Sequence, residues 1–150
     1  MALISPIELQ KRIQQAIRVL PDMVKEELEK ADLVGINKEN LLQGKDSYGN
    51  DMPKYRNPEY AHFKTSINPR NRGFWDLRVM GEYHRWINVN ININPAVIFF
   101  NNNLQNEKAV WLKERLRNRH LGITEEQLEE IQMNNKPIIR EKILKIINGV

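Results

Sequence analysis

Cysteine is absent from these 150 residues, which excludes disulfides and thiolate metal sites and leaves the redox compartment open. Histidine is scarce: His62, His84 and His120 lie far apart, and none has the i, i+4 spacing of a helical zinc pair. No apolar run approaches the roughly 20 residues that a bilayer-crossing helix needs. The opening MALISPIELQKR lacks the basic start and continuous apolar segment of a signal peptide. A soluble protein made inside a cell, with no membrane partner, is therefore expected. Phosphate-binding P-loops, dinucleotide fingerprints and Gly-x-Ser-x-Gly elbows are missing as well. Asp46 and Asp51 lack the alternating ligands and terminal Glu of a calcium loop. Paired carboxylates occur at Glu26-Glu27, Glu125-Glu126 and Glu129-Glu130, but on predicted helices with basic neighbours, where solvation and helix-dipole complementation account for them. The expectation is a protein with no enzymatic activity, no cofactor and no metal.

What remains is 41% hydrophobic, enough for the core of one α+β domain over residues 1–150. Ser5-Pro6-Ile7-Glu8 reads as a helix start, with Ser5 as cap, Pro6 at the first helical position and Glu8 reaching back. Leu9, Ile13, Ile17, Leu20, Val24, Leu28 and Ala31 recur at three- and four-residue steps, which predicts a long N-terminal helix with a one-sided apolar stripe. The stripe keeps its phase across Pro21, so one kinked helix is expected rather than two, with Gly35 as its terminator. Residues 37–52 are turn-rich, and EYAHFKTSI after Pro58 reads as a short helix. Toward the C-terminus, 106–118 reads as a helix carrying Val110, Trp111 and Leu116 among basic residues. Thr124 and Gln127 form a capping-box pattern for another helix; Asn134-Asn135 is read as an interruption and Pro137 as the start of a last one.

The strongest local signal runs from Phe74 to Phe100. Ile87, Val89, Ile91 and Ile93 alternate with Asn88, Asn90, Asn92 and Asn94, which predicts a half-buried strand with one amide-lined face. Pro95 marks the turn, Val97 to Phe100 the returning strand and Asn101-Asn102-Asn103 its close, giving an antiparallel hairpin.

Charge is unevenly placed. The chain carries +4 overall, and residues 54–85 alone carry a net +4, from seven basic and three acidic side chains. Lys54, Arg56, Lys64, Arg70 and Arg72 form a candidate basic patch for nucleic acid or an acidic protein face. Just beyond, Trp75, Arg78, Tyr83, Arg85 and Trp86 interleave aromatic and basic groups, as a platform for stacked bases does. The competing reading makes Trp75 and Trp86 anchors of the sheet on the long helix.

The order of these signals resembles the tail-completion, or virion-morphogenesis, proteins of tailed bacteriophages. In that family a long N-terminal helix precedes a Gly-containing loop, a Leu-x-x-Thr-Gly-x-Leu-x-x-Ser-like motif, a hairpin and closing helices. Here the helix is Pro6 to Asp32, the loop runs from Gly44 to Pro53, and the motif position is Leu77 to Trp86, matched at Leu77 and Gly81. Met80, Tyr83 and Trp86 stand where the family has threonine, leucine and serine, and Leu121-Gly122-Ile123-Thr124 resembles the element before its closing helices. The resemblance implies a non-enzymatic virion subunit that forms a head–tail connector or tail-terminating ring. It also implies a homo-oligomer that meets portal, connector or tail-tube proteins and touches DNA in the channel without reading sequence. The interface residues would be Trp75, Arg78, Tyr83, Arg85, Trp86, Asn88, Asn90, Asn92 and Asn94. A sequence-neutral nucleic-acid-binding module built on residues 70–86 is the alternative.

Overall fold

A computed structural model of the chain describes residues 4–78, 82–92, 97–100 and 107–150. It shows an α+β protein: helices α1 (Pro6–Lys30), α2 (Leu33–Leu42), α3 (Pro58–Ile67), α4 (Glu82–Arg85), α5 (Glu107–Leu116) and α6 (Glu125–Asn148), and strands β1 (Ile87–Asn90) and β2 (Val97–Phe100). Two compact units divide it, one of residues 1–31 with 128–150, the other of residues 32–127.

In the first unit, α1 starts as its sequence predicts. Ser5 accepts the Glu8 backbone N–H at 3.2 Å, and one helix spans Pro21. It ends at Lys30, short of Gly35. The buried positions on α1 are Ala16 and Glu27, whereas Leu9, Ile13, Ile17 and Val24 of the apolar stripe are exposed. Glu27 is buried as an ion, held by Lys30 and by Lys142 of α6, each at 2.9 Å. Arg12 donates to the Ile147 carbonyl at 3.1 Å, a cation placed at the negative end of α6. α6 is continuous through Asn134, Asn135 and Pro137, so neither an interruption nor a new start occurs there. The first turn of α6, which belongs to the second unit, is capped as expected: the Gln127 N–H reaches Thr124 Oγ1 at 3.2 Å, and the Thr124 N–H reaches Gln127 Oε1 at 3.0 Å.

The second unit begins with the cap of α2. Asp32 takes a left-handed conformation (φ 49°) and its carboxylate accepts the Gly35 N–H at 3.1 Å, so Gly35 lies inside α2 instead of closing α1. The first six residues of the predicted turn-rich region, 37–42, are thereby helical. The glycine that follows α2 is Gly44 (φ 67°): its N–H reaches Leu41 O at 2.9 Å, and an added Cβ would lie 2.8 Å from that of Phe74. The core of this unit is Leu41, Met52, Tyr83, Ile87, Leu112 and Leu116, with Phe74, Trp75, Leu77 and Ile98 packed against it.

The hairpin is antiparallel, pairing Ile87 with Phe100, Asn88 with Phe99, Val89 with Ile98 and Asn90 with Val97. β1 is shorter than its alternation predicts. Asn90 turns its side-chain oxygen back onto the Asn92 N–H (3.0 Å), an Asx turn that competes with the ladder, so Ile91 and Asn92 lie outside the strand. Ile93, Asn94 and Pro95, the closing Asn101–Asn103 and Val79–Gly81 of the family-like motif lie outside the described residues.

Candidate functional site

Residues 53–55 and 73–75 lie side by side, joined by Tyr55 N–H to Gly73 O (3.1 Å) and Trp75 N–H to Pro53 O (2.9 Å). That pairing fixes Phe74, Trp75 and Asp76 and generates both a buried polar centre and a surface cluster.

The buried centre is Asp76, fully shielded from solvent. Its Oδ1 meets Lys64 Nζ at 2.7 Å, the Tyr55 hydroxyl at 3.1 Å and the Arg78 N–H at 3.1 Å; its Oδ2 accepts from Asn68 and Asn71, each at 3.0 Å. Burial alone would raise the carboxyl pKa; the Lys64 ammonium and the Asn68, Asn71 and Arg78 donors outweigh it and hold the group below the usual range. Tyr55 is pushed up by burial and by the Asp76 charge. His84, also buried, bonds through Nε2 to the Asp76 carbonyl at 2.8 Å; because a carbonyl only accepts, Nε2 carries the proton. Burial lowers its pKa and keeps the ring neutral. Every polar arm of Asp76 is thus engaged internally, which makes the cluster a structural tie rather than a reaction centre.

The surface cluster is aromatic and basic. Trp75 and Trp111 have ring centroids 5.6 Å apart with planes tilted by 33°. The Arg115 guanidinium lies over both rings, 5.5 Å from Trp75 and 5.4 Å from Trp111. One residue back, Phe74 carries Lys54 at 5.4 Å and Arg72 at 5.2 Å.

The sequence-predicted residues do not form one surface. Lys64 is 1% exposed and Tyr83 7% exposed, so Lys64 leaves the basic patch and Tyr83 leaves the interface set. Lys64 was misassigned because its partner, Asp76, arrives only through the 53–55/73–75 pairing. Arg70 is ion-paired with Glu39, and Arg72 meets Asp51 at 2.8 Å, so part of the positive charge is neutralised in place. Lys54, Arg56, Arg78, Arg85 and Trp86 are exposed. Asn88 and Asn90 are partly exposed and share their face with Val97 and Phe99, which are 42% and 37% exposed, so the outer face of the hairpin is half apolar rather than amide-lined. Asn92 is exposed beyond the strand, and Asn94 lies outside the described residues. Sequence reasoning missed Asp76, Phe74, Trp111 and Arg115 as site residues. Trp111 and Arg115, four residues apart beside other cations, were the available signal.

Among the described residues, no group of three or more His, Asp or Glu side chains is placed to hold a metal ion, and no helix is long and apolar enough to cross a membrane. Comparison with protein-family models, with curated proteins and with solved structures found no match.

Proposed function

We propose that the protein is a non-enzymatic assembly subunit of a virion, forming a ring at a head–tail connector or at the end of a tail. The observation that carries this reading is the outer side of the hairpin. Val97 and Phe99 stand exposed on it, Trp86, 44% exposed, immediately precedes β1, and each strand has a strand neighbour on one side only among the described residues. Open strand edges bearing apolar side chains are templates for pairing with another chain, and a head-to-tail contact closes into a ring when its rotation allows. Asn88 and Asn90 on the same face keep the free subunit hydrated.

On this reading the neighbours are copies of the chain and the adjoining portal, connector or tail-tube proteins, and its place is the virion. Light scattering on the full chain at high concentration, alone and mixed with a purified neck or portal complex, tests it. Oligomers or co-assembly should appear, and Phe99→Glu should abolish them while leaving the circular dichroism spectrum unchanged. A strict monomer that joins no such complex would sink the proposal.

A further inference from the structure

We infer that the face built by Trp75, Trp111 and Arg115 is a stacking site for single-stranded nucleic acid, DNA or RNA, bound without sequence preference. This goes beyond the assembly reading and does not rest on it.

The geometry begins with α5. Leu112 and Leu116, each 1% exposed, hold one side of that helix in the core. Trp111 and Arg115, one turn apart, stand outside that buried row, and Trp111 remains 48% exposed. A large indole left in water on an anchored helix forgoes burial that a core position would supply. It is also rigidly backed: Trp75 packs against the core and meets Trp111 at 5.6 Å, so the two rings form a fixed, stepped aromatic surface.

Arg115 supplies the second half of the chemistry. It is exposed, and its guanidinium is held by two π-faces; among the described residues no carboxylate pairs with it. A planar cation oriented this way keeps its N–H donors available for a phosphate while its face stays on the rings.

Trp111 stays 48% exposed with Arg115 in place, so a base of any identity can stack on the indole surface that the guanidinium leaves open or on the guanidinium plane itself, while the charge attracts the backbone. A duplex hides its base faces, so the indoles favour a strand with unpaired bases. An acidic protein surface would satisfy the guanidinium but would leave the exposed indole without a base to stack on.

The test is a tryptophan-fluorescence titration of the full chain with oligo(dT), oligo(rU) and a DNA duplex, from low to physiological salt; the protein has three tryptophans, Trp75, Trp86 and Trp111. Single strands should quench the signal and bind more tightly than duplex, with dT against rU separating DNA from RNA as the preferred strand. With Arg115 engaged, log K should fall against log salt with a slope of about −0.7. Trp111→Ala should weaken binding about tenfold, and Arg115→Gln should flatten the slope by about 0.7. Both positions are exposed, and circular dichroism of each variant checks that it remains folded. Absence of binding at low salt overturns the inference, as does binding that neither variant alters. Quenching that follows protein concentration without oligonucleotide also overturns it, because the face then belongs to a protein contact. None of these failures touches the assembly reading, which is measured by particle mass with no nucleic acid present.

Discussion

Lys64 Nζ lies 2.7 Å from Asp76 Oδ1, with the two side chains 1% and 0% exposed. Removing either partner strands the other charge in the interior. Asp76→Ala or Lys64→Met should each cost about 3–5 kcal/mol, a large share of the roughly 5–15 kcal/mol that holds a domain together. Urea denaturation measures it. The double variant should lose clearly less than the sum of the singles, because it leaves no uncompensated ion; additive losses would show that the pair is not coupled.

Acid should begin to weaken the fold at a pH where the carboxylates are still ionised. His120 is buried with its Nδ1 unbonded, and burial drives its pKa from 6.5 down to about 4. An unfolded chain binds that proton near 6.5, so stability is complete above that pH and is lost as pH falls toward 4. The loss is about 3 kcal/mol at 1.36 kcal/mol per pH unit, and His84, lowered for the same reason, acts in the same direction. Asp76, also lowered, adds its share only below the ordinary carboxyl value of 3.8. Urea midpoints at neutral and mildly acidic pH should differ accordingly, and His120→Gln should reduce the difference. A fold that gains stability on acidification in this window would contradict the assignment.

Gln127 does two jobs at the start of α6. It closes the cap with Thr124 and exchanges two amide hydrogen bonds with Asn40, both 2.8 Å. Thr124→Ala should cost about 1 kcal/mol, the usual worth of an N-cap. Gln127→Ala should cost more, and combining it with Asn40→Ala should add little. Thermal melts of the set would show whether the three residues act as one unit.

Backbone strain offers a stabilising change. Arg117 is exposed and holds φ 48°, a left-handed geometry that costs most non-glycine residues about 1–2 kcal/mol. Arg117→Gly relieves that strain but gives the unfolded chain more freedom, leaving a net gain of about 0.5–1 kcal/mol. A melting temperature a few degrees higher is expected. Leu77, at φ 53°, should respond oppositely, since its side chain packs against the core and glycine there would remove those contacts.

Local chemistry was readable in the sequence wherever it acts within a few residues. The Ser5 and Thr124 caps, the α3 and α5 helices and the Ile87–Asn90 alternation all appear where residue pattern places them. Gly35 misled because Asp32 bends the chain and recaps it two residues after α1 ends, a competition no periodicity reveals. Pro137 misled because a proline inside a helix costs one hydrogen bond and a ring clash with the preceding turn without always ending it, and α6 continues through it. Asp76 was invisible for a different reason: its worth depends on Lys64, Tyr55, Asn68 and Asn71 converging in space. The clustering of short amides at Asn68 and Asn71 just ahead of an acid was the one available hint.

Leu9, Ile13, Ile17 and Val24 remain open to water on α1 in the folded chain. Native protein should therefore bind an environment-sensitive fluorescent dye and be retained on an alkyl chromatography resin at high salt. Brightening of such a dye, ordinarily taken as a sign of denaturation, would here be the signature of the intact molecule, and a drop in that glow would report that a neighbour had settled on the helix.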